Sequence, residues 1–180
     1  MSARTDEALI AAHLTGDKTA FPILFQRYAP TLQGIMRRDI RKTQDADELV
    51  QDTFLHLHRA AKSFQPDRKL RPWLMTIAFN LKREYFRRKG RRPEAPLNLD
   101  GRNDPSEEPR ILERRHAQRQ VTRALASLSD SQRDVIEMHW FAGLSFPEIA
   151  EAVGASLSAV KVRAHRGYEK IRGLLPEEKA

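Results

Sequence analysis

The stretch from Pro93 to Pro109 constrains this chain more than any other. It holds four prolines and no apolar periodicity, and proline both lacks the amide N–H and clashes with the preceding helical turn. Neither a helix nor a packed strand runs through such a segment, so it reads as an extended linker. Charge marks the same boundary. Five acids (Glu94, Asp100, Asp104, Glu107, Glu108) against Arg102 give the linker −4, whereas Lys82 to Arg92 just before it carries +6. A 180-residue chain interrupted in this way is expected to build a small core on either side of the break. A composition 40% hydrophobic and 31% charged suits two small units, which bury less of their surface than one large one.

On both sides of the linker, apolar residues recur at three- and four-residue steps, and no alternating run of any length occurs, so the expected fold is all-α. Helices are predicted over Asp6 to Thr15 with a stop near Gly16, and over Thr19 to Arg41, where Pro22 suits the first turn and Pro30 a kink. Two more are predicted over Asp45 to Lys62 and Pro72 to Lys89. Beyond the linker the pattern gives Ile111 to Leu128, Asp130 to Phe141, Phe146 to Val153 and Leu157 to Leu175. The expected organisation is two small helical domains, residues 1–92 and 113–180, joined by an acidic proline-rich linker over 93–112.

The bulk chemistry narrows the function. Lys and Arg number 32 against 24 acids, a formal charge of +8, which favours a polyanionic partner, nucleic acid first among them. With no cysteine there are no disulfides, thiolate metal sites or cysteine nucleophiles. The N-terminal MSARTDEALIAAHLTGDK carries acids and lacks the apolar run of a signal peptide, and no stretch approaches the ~20 apolar residues of a membrane span. A soluble, cytoplasmic protein with no membrane insertion of its own is expected. Its six histidines (His13, His56, His58, His116, His139, His165) lack metal-ligand spacing, and His56 and His58, two apart, point to different sides of a helix. No phosphate-cradling glycine loop or nucleophile motif occurs, so no catalytic residue, cofactor or metal is assigned.

Residues 146–165 fit a helix-turn-helix. Ala150 is small where the two helices cross, Gly154 stands where the turn needs a positive φ, and Val160 plugs the core from the second helix. Ser145 and Glu148 have capping-box spacing. In the second helix Leu157, Val160, Ala164, Tyr168, Ile171 and Leu175 form the expected buried stripe. Ser158, Lys161, Val162, His165 and Arg166 face the other way, a basic surface suited to the major groove. Lys161 and Arg166 match guanine edges or phosphates, and Val162 a thymine methyl.

The helix from Pro72 sorts into stripes too. Trp73, Leu74, Ile77, Ala78, Leu81 and Tyr85 read as core; Thr76, Asn80, Arg83 and Arg87 project from another side, and Arg88, Lys89, Arg91 and Arg92 carry the charge onward. That stripe suits phosphate contact and base reading. The helix from Asp45 is opposite in character. Ala46, Val50, Phe54, Leu57 and Ala61 form its buried face, while Glu48, Asp52, Leu55 and Arg59, with Gln51 beside them, present an acidic surface suited to a protein partner.

Taken in order, these segments resemble an extracytoplasmic-function (ECF, group IV) sigma factor of bacterial RNA polymerase, in the sigma-70 family, of the short type with regions two and four. Asp45-Ala46-Asp47-Glu48-Leu49-Val50-Gln51-Asp52-Thr53-Phe54-Leu55 resembles region 2.2. Trp73 to Leu81, followed by Arg83 and Arg87-Arg88, resembles regions 2.3 and 2.4, and Leu125-Ala126-Ser127-Leu128 through Leu144 to Ala150 and Val160 to Arg163 resembles region 4.

The resemblance implies a transcription initiation factor without enzymatic activity. Asp47, Glu48, Gln51, Asp52 and Leu55 would dock on the coiled coil of the β′ clamp of core RNA polymerase. Region 4 would sit near the β flap with Ser158, Lys161, Val162, Arg163, His165 and Arg166 at the −35 element of promoter DNA. The loop Ser63 to Leu70 with Asn80 would capture an unstacked base of the −10 element, with Lys69, Thr76, Arg83, Arg87 and Arg88 on the same strand; Phe64 would stack on that base or anchor the core. The linker would run through the polymerase interior, and an anti-sigma factor would hold the protein inactive. Ala159, where the family often has threonine, and His165, where it often has an aromatic or long residue, depart from the pattern. The C-terminal half alone also fits a dimeric helix-turn-helix regulator; only the acidic helix and the loop before the Asn/Arg stripe argue otherwise.

Overall fold

The computed structural model describes residues 4–90, 120–121 and 123–174; the expected linker, and the boundary at 113, lie outside them. Local signals set the helix starts. Helix α1 (Asp6–Leu14) begins on Thr5, whose hydroxyl accepts from the Ala8 N–H at 3.2 Å, with Asp6 and Glu7 in its positive first turn. Helix α2 (Ala20–Asp39) carries Pro30 inside it. Helix α3 (Thr43–Ala60) runs into a 3₁₀ turn at Ala61–Ser63, and after a loop α4 (Leu70–Lys89) ends on Gly90 in the left-handed region. Beyond the linker come α5 (Asp130–Trp140), α6 (Phe146–Val153) and α7 (Leu157–Arg172), preceded by helical residues 123–126. No strand occurs among the described residues, so the all-α expectation holds.

Helix α4 starts two residues before the expected Pro72. Its first N–H, on Leu70, has no local cap and donates instead to the Glu7 carboxylate of α1 at 3.0 Å. A cap supplied from 63 residues away leaves no trace in the local sequence. At the other end of the chain, α7 closes at Arg172 rather than continuing to Leu175, which lies outside the described residues.

Helices α1 to α4 pack in succession around Leu9, Ile10, Leu24, Leu32, Leu57 and Leu74, and α5 and α6 pack on α7. Two independent cores are not what results. Helix α4 also packs on α6, and one continuous apolar cluster runs from the N-terminal lobe through Met75 and Phe79 into Met138, Ala142, Leu144 and Ile149 of the C-terminal lobe. A smaller cluster, Leu125, Leu128 and Ile136, lies against Tyr168 and Ile171. The single stripe predicted for α4 is thus incomplete: Pro72, Met75, Phe79 and Lys82 form a second buried face.

Lys82 is the sharpest departure. Counted from the sequence in the basic run, it is buried, with Nζ 2.8 Å from the Asp39 carboxylate of α2 and hydrogen bonded to the Glu137 carboxylate of α5. Arg38 Nη2 lies 2.9 Å from the other Glu137 oxygen as an ion pair, off the hydrogen-bond axis. The Arg38 guanidinium also stands 3.8 Å over the Phe141 ring. Two buried cations of the N-terminal lobe, Arg38 and Lys82, thereby meet Glu137 of the C-terminal lobe, which is fully enclosed, while Asp39 pairs with Lys82 from the other side. Burial works against the Lys82 charge, yet Asp39 and Glu137 outweigh it and its pKa is raised. Burial would also raise Asp39, but Lys82 and Arg38 overcome it and hold the carboxylate ionised.

The helix-turn-helix turn forms as its residues dictate. Ser145 and Glu148 make a reciprocal capping box at the start of α6, with the Ser145 N–H donating to the Glu148 carboxylate at 2.9 Å. Gly154 ends α6 at φ +62, a conformation costing a side-chain-bearing residue about 1–2 kcal/mol. Gly34, exposed in the middle of α2 with nothing near its missing Cβ, is the opposite case. In thermal or urea unfolding, Gly154→Ala is expected to lower stability by about 1–2 kcal/mol, and Gly34→Ala to raise it by about 0.5–1 kcal/mol. Equal signs for the two substitutions would contradict the backbone assignment.

Candidate nucleic-acid interface

Three surfaces emerge. The first lies where the loop at residues 64–69 meets the start of α4. Phe64 packs against Trp73, ring centroids 5.2 Å apart, and both line a cavity of about 240 Å³ with Ser63, Gln65, Arg68, Lys69, Pro72 and Thr76. Phe64, Lys69 and Thr76, named from the sequence, therefore share one site. Trp73, read there as core, and Arg68 join them; the Trp/Phe pairing across the loop could not be seen in helical periodicity. Asn80, one turn farther along α4, does not line the cavity. It accepts a hydrogen bond from Arg83, and Arg87 and Arg88 lie exposed beyond it.

The remaining wall of the cavity comes from the C-terminal lobe, through Glu151 and Ala152 of α6. The Lys69 ammonium sits 2.9 Å from the Glu148 carboxylate, and Arg68 Nε 3.5 Å from that of Glu151. The Thr76 hydroxyl lies 3.1 Å from the Ala152 carbonyl, as well as 2.9 Å from the Pro72 carbonyl of its own helix. One turn past Asn80, Arg83 Nε is 3.4 Å from Asp134 of α5.

The second surface is α7. Ser158, Lys161, Val162, His165 and Arg166 are all exposed, and Arg163 is half-buried. Val160 and Ala164 are buried beneath them. Leu157, expected in the buried stripe, is 40% exposed, because it occupies the first turn, where the Ser156 cap turns the chain outward. The third surface is α3, whose Glu48, Gln51, Asp52 and Leu55 are exposed together. Asp47 differs from its neighbours: it is half-buried and gripped along one edge of the Arg37 guanidinium, which donates from Nε at 3.2 Å and Nη2 at 2.9 Å. Among the described residues no three His, Cys, Asp or Glu side chains are grouped to hold a metal ion, and no helix is long and apolar enough to cross a membrane. His13 and His58, far apart in sequence, do meet, Nε2 to Nδ1 at 2.9 Å.

Comparison with known proteins decides the family. Residues 24–92 match the family described as Sigma-70 region 2, and residues 118–171 match Sigma-70, region 4. The chain is 36% identical to the RNA polymerase sigma factor CarQ of Myxococcus xanthus, over 90% of this chain and 92% of CarQ. It is 34% identical to the ECF RNA polymerase sigma factor SigM of Mycobacterium tuberculosis, over 96% of this chain and 85% of SigM. The solved structure of CnrH, a sigma factor known from Cupriavidus metallidurans, in complex with the cytosolic domain of CnrY, is similar with a TM-score of 0.75 at 30% identity. That likeness covers 97% of this chain and 99% of CnrH.

The chain is an ECF sigma factor of the sigma-70 family. It is a transcription initiation factor and not an enzyme, and the dimeric-regulator alternative falls away.

Several titratable groups of this sigma factor are perturbed where region 2 meets region 4. The Glu148 carboxyl is drawn down to about 2, first by the Ser145 backbone N–H and then by the Ser145 hydroxyl and Lys69, so it is a carboxylate at any physiological pH. Asp134 is pushed up to about 6 by burial, with Lys82 and Arg83 offsetting only part of that penalty. Glu137 is raised for the same reason, burial outweighing its contact with Lys82. A carboxyl at about 6 in the folded chain and about 3.9 unfolded binds an extra proton on folding, so its contribution falls as pH rises from 4 through 6. The loss approaches about 3 kcal/mol at neutral pH. Asp134→Asn removes that slope. The stability of the Asn variant relative to the natural chain, from urea unfolding, is therefore expected to improve steadily between pH 4.5 and 7.5; a pH-independent difference would contradict the assignment.

Proposed function

We propose that this sigma factor divides promoter recognition among the three surfaces. The acidic face of α3, through Glu48, Gln51, Asp52 and Leu55, docks on the coiled coil of the β′ clamp of core RNA polymerase, and Asp47, fixed by Arg37, braces the edge of that face. The basic face of α7 reads the −35 element near the β flap: Lys161 and Arg166 take guanine edges or phosphates, Val162 a thymine methyl, and Ser158, Arg163 and His165 the flanking backbone. The cavity bounded by Phe64, Lys69 and Thr76 receives a base of the −10 element, with Asn80 holding the next nucleotide and Arg83, Arg87 and Arg88 the upstream phosphates. The domain limits that go with this division are residues 1–92 for region 2, 93–112 for the linker and 113–180 for region 4. The protein works in the cytoplasm, without a cofactor, and is restrained by an anti-sigma factor, as CnrH is bound by CnrY.

The observation that carries the reading is the cavity beside an aromatic pair and a run of cations on α4. Opening a promoter needs no covalent step. It needs one strand held better than the duplex, and a pocketed base with its backbone on cations offsets an unstacking cost of about a few kcal/mol. An acidic face and a basic face on the same small lobe, α3 and α4, separate the polymerase contact from the DNA contact.

The direct test is transcription in vitro with core polymerase on a library of genomic fragments, which reports activity and both promoter elements at once; no initiation at any defined site would refute the reading. Asp52→Lys is expected to weaken holoenzyme formation while leaving the affinity of the free chain for DNA similar. Asn80→Ala is expected to impair opening of duplex promoters more than transcription from pre-melted templates, and an equal defect on both would remove the base-holding role.

A further inference from the structure

Two helix ends converge on a pair of imidazoles. His13 stands in the last turn of α1 and His58 in the last turn of α3. Across 45 residues of sequence, His13 Nε2 and His58 Nδ1 come within 2.9 Å of each other. Phe21 of α2 braces both rings, its centroid 4.8 Å from that of His13 and edge-on to His58 at 5.5 Å. Phe54 in turn packs edge-on against Phe21. His13 is half-buried and His58 exposed, so the pair is held from its apolar side and open to water on the other. None of the three recognition surfaces uses either residue.

The contact has the chemistry of a ligand pair. A hydrogen bond between two imidazoles needs one N–H and one lone pair, so the two nitrogens share a single proton. A late first-row divalent cation can take the same place with a bond to each ring, while the donor ring moves its proton to its other nitrogen. Metal–imidazole bonds of about 2.0–2.1 Å in tetrahedral geometry put two nitrogens about 3.3 Å apart, so the rings need to separate by only about 0.4 Å. The carbonyl ends of α1 and α3 add a field that favours positive charge.

We propose that His13 and His58 form a two-histidine site for a late first-row divalent cation of the zinc or nickel kind, which clips the end of α1 to the end of α3. Among the described residues no third His, Asp or Glu joins the pair, so water fills the remaining positions and the ion exchanges freely. Its effect falls on the loop at residues 64–69. The end of α3 leads into that loop through the 3₁₀ turn at Ala61–Ser63, and α1 supplies Glu7, which accepts from the Leu70 N–H where the loop ends. An ion on the pair ties these two supports together.

The test uses the full chain without an affinity tag and Zn²⁺ alone, with calorimetric titration for stoichiometry and thermal unfolding for the gain in Tm. One ion per chain is expected, and zinc at about a hundred times its dissociation constant is expected to raise Tm by about 5–10 °C. Mg²⁺, which prefers oxygen ligands, is expected to leave Tm unchanged. His13→Gln and His58→Gln are each expected to remove the whole zinc gain, because the ion needs both rings. His56→Gln, on another side of α3, is expected to keep it.

The gain is a difference within each variant, so a lower starting Tm does not obscure it, and if one variant fails to fold the other decides. Absence of zinc binding by the natural chain overturns the site, and so does a full zinc gain in His13→Gln or His58→Gln. Loss of only half the gain in each variant marks two independent ligands and overturns the shared site, as does an equal response to Mg²⁺.

Discussion

Helix α4 is buried on two sides, and most of the molecule is arranged around that fact. Leu74, Ala78 and Leu81 tie it into the N-terminal bundle, while Met75, Phe79 and Lys82 turn toward the C-terminal lobe. Before its last turn, a helix so placed has little surface left for solvent: Arg71, Asn80, Arg83 and Glu84 are exposed and Thr76 is half-buried. The buried Lys82 fixes the arrangement. Apolar contact alone tolerates sliding, whereas an enclosed ammonium shared between Asp39 and Glu137 is costly in any register that leaves one of the three unpaired.

The sigma-70 architecture of this chain follows from a division of charge as much as from apolar packing. Carboxylates of α3 face outward on one flank of region 2, cations of α4 occupy another, and a second set of cations lies along α7. A net charge of +8 would otherwise act as an undirected attraction to polyanions. Collecting acids on α3 gives a protein partner a surface that DNA avoids, and placing Glu148, Glu151 and Asp134 along one side of region 4 gives region 2 a complementary surface within the same chain.

Much of this was legible in the sequence, because much of it is local. The capping box at Ser145 and Glu148, the left-handed Gly154, the buried Val160 and the exposed face of α7 are each determined by residues within a turn or two of one another. The buried face of α3 and its outward acids follow from a 3.6-residue period alone. What periodicity could not disclose was the contact between lobes. Proline and reversed charge at residues 93–109 interrupt the helical pattern of the sequence, but they say nothing about whether the flanking lobes touch. Met75 and Phe79 repeat at helical spacing beside the stripe that was identified, and a second apolar face was the available clue. Lys82 had no such signal: in sequence it is one more cation in a basic run, and its burial depends on Asp39 and Glu137, 43 and 55 residues away. The cavity was half legible. Phe64, Lys69 and Thr76 were within reach of sequence reasoning, while Trp73 and the wall supplied by α6 required the tertiary fold.

The central claim is that the buried contact of Lys82 and Arg38 with Glu137 fixes region 4 against α4 in the free chain. The chain contains no cysteine, so a pair introduced at exposed positions, Arg59 on α3 and Glu169 on α7, can carry two spin labels or dyes without interference. Distance distributions would be recorded for the natural chain and for Glu137→Lys. The account predicts a single narrow distribution in the natural chain that broadens in the variant. A broad distribution in the natural chain, or one equally narrow in both, would contradict it.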